Sequence, residues 1–522
     1  MRLLMCGGTV VDDGVMRRAD VAIEGKTITA VGDVVPSTGD QIIECHGRLV
    51  LPGFVDVHSH TDGLVEDNAV QQALLKQGVT TVVTGQDGVS YAPGSGEYAS
   101  NYFAAINGRH PHYDGGGVAG YLAAVQGRSR LNFAYLVPAG TVRSEVCGRS
   151  SAPANESQIA RMVALVEQGM REGAVGVSTG LDYVPGIFAT ADEIAALCSP
   201  VAAAGGLYVT HMRGGYEANS AAGITEIAHI AAESGARVHI SHFHAQAAII
   251  SSQLQHLRSL GVDTTFDAYP YTRGCTLLAM PLLPPELSVL PVETVVDLIS
   301  DPGERTRLRR DWFPKVERNA SLGPDWPSMI TLAHIAAPEF AWAHGLTLEA
   351  AAMRAGTDAI EIALDLLAAS QLEVNAVMAV PHQRSVVELA TIFSHEGHMG
   401  GSDGIFIGAH PHPRARGTFA RYLREYVRET PTWSWPEAVQ HLSTAPAARF
   451  SLGQRGRIAA GWEADLIVVD PHTVADTATY EKPLAEAIGI DDVVVAGQQV
   501  LASGRLATTT PGRGLRREHT KN

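Results

Sequence analysis

Residues 52–60 read PGFVDVHSH, a short apolar run that closes on two histidines, His58 and His60. On an extended strand, side chains two residues apart share one face. Both imidazoles can therefore reach one ion from the end of a strand. An HxH pair is weak evidence by itself, because the chain carries 21 histidines. Its weight depends on what the rest of the chain sets beside it.

Seven further apolar runs have the same texture: VTTVVTGQDG (79–88), LNFAYLVPAG (131–140), AVGVSTGLDY (174–183), LYVTHMRGG (207–215), VHISHFHA (238–245), TTFDAYPYTRG (264–274) and HMGGSDG (398–404). Most intervals between them hold an amphipathic stretch. Asn155 opens one, with Gln158 at the capping-box position; Thr190 opens another, with Glu193 three residues on. Eight strand–helix units predict an α/β fold, a (β/α)8 TIM-type barrel whose active site lies at the C-terminal strand ends. On that frame His211, His242 and Asp403 all stand at strand ends beside His58 and His60. Four imidazoles and a carboxylate converging there suit zinc or a similar divalent ion, and make isolated polar residues a poor explanation.

The chain ends read differently. Residues 1–50 (LLMCGGTVVDDG, DVAIEGKTITAVG, QIIECHGRLVL) and 455–510 (GRIAAGWEADLIVVD, DVVVAGQQVLASG) are short alternating segments with Gly and Asp turns. They predict one small β-sandwich domain built from both ends. The barrel then occupies 51–280 and 346–454. Between TTFDAYPYTRG and GGSDG lie about 120 residues, several times a normal β–α unit. Residues 281–345, proline-rich and then charged, are expected to be an inserted subdomain before the last barrel strand, acting as a lid or shaping the substrate site. The tail PGRGLRREHTKN is basic and polar and is expected to be loose.

Composition narrows the function. Apolar residues make up 45% and charged residues 18%, a globular balance. Lys plus Arg is 39 against 55 Asp plus Glu, an excess of negative charge that argues against nucleic acid and anionic membrane as partners. The five cysteines are scattered without a CxxC pair, which fits a reducing cytoplasm. No signal peptide or membrane-length apolar run is evident, so a cytoplasmic location is expected.

Taken together, LPGFVDVHSHTDG, GVTTVVTGQDGVSYAPG, GAVGVSTGLDYVPGIFAT, YVTHMRGG, HISHFHA, DAYPYTRGCT, GGSDG, HPRARGTF and GRIAAGWEADLIVVD resemble, in order, the amidohydrolase superfamily and within it the D-aminoacylase (N-acyl-D-amino-acid deacylase) family. The resemblance implies one or two Zn2+ ions. His58 and His60 would serve one metal position, and His211 and His242 the second. Asp403 matches the catalytic acid/base and also counts among the metal-site residues. Arg414 and Tyr269 match residues that hold the substrate carboxylate. His244 stands where relatives vary with the side chain they accept, and an outward, surface position for it is equally open.

Three positions depart from the family pattern. Asp87, in GQDG, stands where a cysteine shared by the metal positions is usual; a carboxylate can bridge two ions but is a harder ligand. Cys275 replaces a serine, and either a weak donor or a packing role fits it. Pro138 and Ala139, in LVPAG, replace a Gly-His pair. The expected activity is metal-dependent hydrolysis of a linear amide, most directly an N-acyl-D-amino acid or a related carboxylate-bearing amide. The expected partner is that small molecule, with the oligomeric state open, homo-oligomer included. A cyclic-amide hydrolase of hydantoinase or dihydropyrimidinase type is the nearest alternative; it is disfavoured because no lysine sits at a strand end. A non-catalytic barrel scaffold is the alternative from another class.

Overall fold

The computed structural model describes residues 2–319 and 321–518. Its centre is a sheet of eight parallel strands in chain order: β1 (Phe54–Asp56), β2 (Val79–Thr84), β3 (Asn132–Pro138), β4 (Gly176–Gly180), β5 (Leu207–His211), β6 (Arg237–Ile240), β7 (Thr264–Ala268) and β8 (His398–Gly400). Each of the eight apolar runs supplies one strand. β2 and β3 are buried at every residue, as strands covered on both faces must be. The seam between β8 and β1 closes beyond the strand ends. Val57 N donates to Gly400 O at 3.2 Å and Asp403 N to His58 O at 2.8 Å, and Ser59–His60 pairs in parallel with Gly404–Ile405. The staple that closes the ring is thus made of the segments that carry His58, His60 and Asp403.

The connecting helices start where the caps predict. Asn155 and Gln158 form a complete capping box at the head of Glu156–Arg171. Thr190 accepts from Glu193 N at 3.1 Å, but the second half of that box is missing. The Glu193 carboxylate instead takes Nη1 of Arg143 at 2.7 Å, with both side chains buried. A buried guanidinium demands a charge partner more strongly than a cap N–H does.

Both chain ends build the two further sheets. Thr27–Gly32, Asp20–Glu24, Arg2–Cys6 and Gln41–Glu44 form one. In the other, Leu49–Pro52 pairs antiparallel with Leu466–Val469, so strands from opposite ends of the chain are neighbours. Met5, Val21, Ile28, Val50, Leu466 and Val494 fill the space between the sheets.

A separate apolar core runs from Leu278 to Ala376. It contains an antiparallel sheet of Gly274–Leu277, Val374–Met378 and Ile330–Ile335. This core reaches past residue 345, where the sequence pattern returned the chain to the barrel. Helices Leu348–Ala355 and Ala359–Ala369 followed by Val374–Met378 imitate a β–α repeat, but that strand pairs antiparallel inside the insertion.

The C-terminal tail is not loose where it is described. Phe133 N donates to Arg513 O at 2.9 Å and Leu515 N to Phe133 O at 2.6 Å. Leu515 packs with Val55, Leu136 and Phe450 in the barrel interior; one apolar side chain in a polar tail is enough to anchor it. Residues 519–522 of that tail lie outside the described residues. Among the described residues no helix is long and apolar enough to cross a membrane, and all five cysteines are unpaired.

Candidate metal centre

The strand ends bring together His58, His60, Asp87, His211, His242 and Asp403. β1 stops at Asp56, so His58 rides on the turn beyond it and His60 on the short closing strand Ser59–His60. Asp87 lies in the turn Gln86–Gly88 after β2. His211 is the last residue of β5, and His242 follows β6 by two. Asp403 follows β8 by three. Three of these residues adopt positive φ: Asp87 at 54°, His242 at 32° and Asp403 at 48°. Non-glycine residues are seldom held there, and such strain persists where the surroundings over-determine it. Gly180 makes room for the Asp87 turn; a Cβ on it would sit 2.0 Å from Asp87 O.

Asp87 is the hub. Its Oδ1 lies 3.6 Å from Nε2 of His58 and 3.6 Å from Nε2 of His242. Its Oδ2 lies 3.6 Å from Nε2 of His60 and 3.9 Å from Nδ1 of His211. Two triads, His58–His60–Asp87 and Asp87–His211–His242, each have ligand atoms within 4.8 Å of one another. Nε2 of His58 and Oδ1 of Asp87 are buried with no hydrogen-bond partner, and Nδ1 of His58 faces only the Asp267 carboxylate, 3.4 Å away. A buried polar atom without a partner is costly. Nitrogen and carboxylate donors gathered in this way fit a divalent ion.

Asp403 joins the first triad from the side, with Oδ1 3.3 Å from His60 Nε2 and 3.8 Å from His58 Nε2. Its Oδ2 is 2.8 Å from Nη1 of Arg414, whose side chain is fully buried. Burial alone would push the Asp403 carboxyl up; the charges of Arg414, His242 and His58 outweigh it and hold it at about 2. Burial likewise opposes ionisation of Asp87, but His58, His242 and His60 keep it well below the usual carboxylate range. Arg414 opens the helix Arg414–Arg421. Its guanidinium stacks 4.6 Å from the ring centre of Tyr269 and donates through Nη2 to Cys275 O at 3.4 Å. Burial pushes the Cys275 thiol up to about 12. His244 donates through Nδ1 to His242 O at 2.8 Å and stacks on Tyr216 at 4.6 Å.

These residues meet in a cavity of about 380 Å³. Its lining includes His60, Asp87, His211, His242, His244, Tyr269, Cys275, Asp403 and Arg414, with His58 buried behind them. Residues from the insertion, Trp312 and Leu322 among them, form part of the wall.

A family model described as an amidohydrolase family matches residues 41–293 and 318–501, most of the chain. The chain belongs to the amidohydrolase family. This amidohydrolase is 32% identical to an N-acyl-D-glutamate deacylase of Alcaligenes xylosoxydans xylosoxydans over 99% of the chain and 96% of that protein. It is 31% identical to a D-aminoacylase of the same organism, over 99% and 97%. An N-acyl-D-glutamate deacylase from Bordetella bronchiseptica, solved with zinc and a phosphonate that mimics the tetrahedral intermediate, superposes with a TM-score of 0.81 at 28% identity, covering 98% and 99% of the two chains.

The structure adds residues around the amidohydrolase site that sequence reasoning missed. Asp267, fully buried on β7, accepts from His242 N at 2.8 Å through Oδ1. Its Oδ2 lies 3.1 Å from Nε2 of His239 and 3.4 Å from Nδ1 of His58. Asn107 Oδ1 is 2.9 Å from His60 Nδ1, and its Nδ2 donates to Val89 O. That second bond orients the amide, so His60 carries its proton on Nδ1 and turns the Nε2 lone pair toward Asp87. Asp182 Oδ2 meets His211 Nε2 at 3.1 Å while Oδ1 accepts from Gly214 N at 2.7 Å. Asp182 and Asp267 sit at strand ends, but nothing local marks the histidine each one meets. Asn107 lies in a connection between β2 and β3, where nothing local marks it either.

Proposed function

We propose that this amidohydrolase removes the acyl group from an N-acyl-D-amino acid or a closely related carboxylate-bearing amide, using one or two zinc ions. The observation that carries the reading is the pair of histidine–aspartate triads sharing Asp87, with Asp403 and Arg414 facing the same cavity. High-coverage likeness to deacylases of D-amino-acid substrates supports the reaction class and the D configuration. No lysine lies on any of the eight barrel strands, which leaves no candidate for a lysine-derived metal bridge.

In this reading His58, His60 and Asp87 would hold one ion, and Asp87, His211 and His242 a second. Bound divalent ions supply Lewis acidity at the scissile carbonyl and ease the ionisation of water. Asp403 Oδ1, the oxygen facing His60, takes a proton from the attacking water and returns it to the leaving nitrogen. Arg414 and Tyr269 anchor the substrate carboxylate and so fix the amide over Asp403. Arg414 is already paired with Asp403, so binding the substrate carboxylate and orienting the base draw on one guanidinium. His244 and Cys275 line the cavity and contact the remainder of the substrate. The insertion, read here as a lid, closes the outer wall and shields the reacting amide from bulk solvent.

The test is hydrolysis of matched N-acetyl-D- and N-acetyl-L-amino acids by zinc-loaded protein, beside Asp403→Asn. Turnover of the D series and a fall of about 100- to 10,000-fold in the variant are expected. Near-normal turnover by Asp403→Asn would remove it as the acid/base, and turnover of neither series would reject the deacylase reading.

A further inference from the structure

The cavity carries information about which amide it receives. One Arg and no Lys line it among the described residues, and that Arg414 is held by Asp403 at 2.8 Å and by the Tyr269 face. Arg384, buried outside the lining beside His244 and Tyr269, is engaged by Glu217 Oε1 at 2.9 Å. Much of the wall away from the triads is apolar: Ile187, Met280, Trp312, Leu322, Met378 and Ile405. Leu322 and Trp312 come from the insertion, Met280 and Met378 from its base. Asp182 adds a carboxylate rather than a cation, already occupied by His211 and Gly214 N.

A substrate bound by its α-carboxylate therefore leaves its acyl group and side chain against an apolar wall. A second carboxylate there would be buried without a counter-charge, which is strongly unfavourable. We propose that this enzyme is selective for N-acyl-D-amino acids with apolar side chains and rejects those with acidic ones, despite its likeness to a deacylase of N-acyl-D-glutamate. The proposal rests on the deacylase reading and specifies its substrate class.

The test compares kcat/KM for N-acetyl-D-methionine and N-acetyl-D-phenylalanine with that for N-acetyl-D-glutamate and N-acetyl-D-aspartate. The apolar pair is expected to be favoured by at least about 100-fold, the scale set by burying an unpaired polar group. Glutamate or aspartate turned over as well as methionine would overturn the proposal while leaving the deacylase reading intact; no turnover of any of the four would remove both. Met280→Lys and Met378→Lys, made separately at half-buried wall positions, probe the wall directly. At least one should move the glutamate-to-methionine ratio about tenfold or more toward glutamate. Two folded variants with an unchanged ratio would show that the side chain lies elsewhere, and would overturn the proposal.

Discussion

Replacing Asp267 by Asn should weaken metal binding although Asp267 belongs to neither triad. Its carboxylate serves three groups: His242 N at 2.8 Å, His239 Nε2 at 3.1 Å and His58 Nδ1 at 3.4 Å. Asparagine keeps an acceptor for His242 N. Its NH2 would then face two ring nitrogens that now face a carboxylate oxygen, so His58 and His239 must change tautomer or lose their partner. Hydrogen bonds to a charged group contribute about 1.5–3 kcal/mol each, so loss of the His239 bond should cost about that much in the metal-free protein. Partners that orient a ligating histidine typically matter by about 10- to 100-fold in metal affinity, or about 1.4–2.7 kcal/mol. The assay is zinc titration against a competing chelator, with metal-free thermal unfolding measured alongside. His239→Gln is the control: it removes the His239 contact and should lower stability while leaving zinc affinity near normal. Wild-type zinc affinity in a folded Asp267→Asn protein would refute the argument that this carboxylate aims His58.

Other expectations follow from the same geometry. Asp87→Ala deletes the one group common to both triads, so bound zinc after dialysis should fall; full occupancy by elemental analysis would reduce Asp87 to a turn residue. Arg414→Ala should lower kcat as well as raise KM, because the 2.8 Å partner of Asp403 is lost with the substrate anchor; breaking such a buried pair costs about 3–5 kcal/mol, and an unchanged kcat would separate Arg414 from the base. His110 packs against Tyr91, Tyr113 and Tyr121 at 5.5–6.2 Å, and burial pulls its pKa from 6.5 down to about 4. A depressed histidine favours the fold above pH 6.5 and loses that contribution as pH falls toward 4, about 1–3 kcal/mol after allowing for its partial exposure. His110→Phe should flatten the stability–pH curve in that window; an unaltered acid slope would exclude His110 as its source.

Much of this was legible in the residues. All eight barrel strands coincide with runs visible as apolar segments, because a strand buried on both faces leaves a continuous apolar signature. His58, His60, Asp87, His211, His242 and Asp403 were visible because a parallel barrel collects its strand ends in one place. Three features were hidden. Asp267 and Asp182 look like any strand-end carboxylate until the histidine beside each is known, and that pairing is a long-range fact. The extent of the insertion was masked by Ala359–Ala369 and Val374–Met378, whose local pattern matches a barrel unit. Glu193 satisfied a local capping rule on paper, yet buried Arg143, 50 residues away in sequence, claims its carboxylate.

The sheet that joins Leu49–Pro52 to Leu466–Val469 sets a timetable for the protein's synthesis. At about 5–20 residues per second, the 414 residues separating Pro52 from Leu466 take roughly 20–80 s to emerge. Throughout that interval an apolar strand, LVLP, waits on the nascent chain without the antiparallel neighbour that will cover its edge. Such an edge invites pairing with other chains. Expression of this enzyme should therefore respond to translation speed, growth temperature and chaperone supply more than its catalytic barrel alone would suggest.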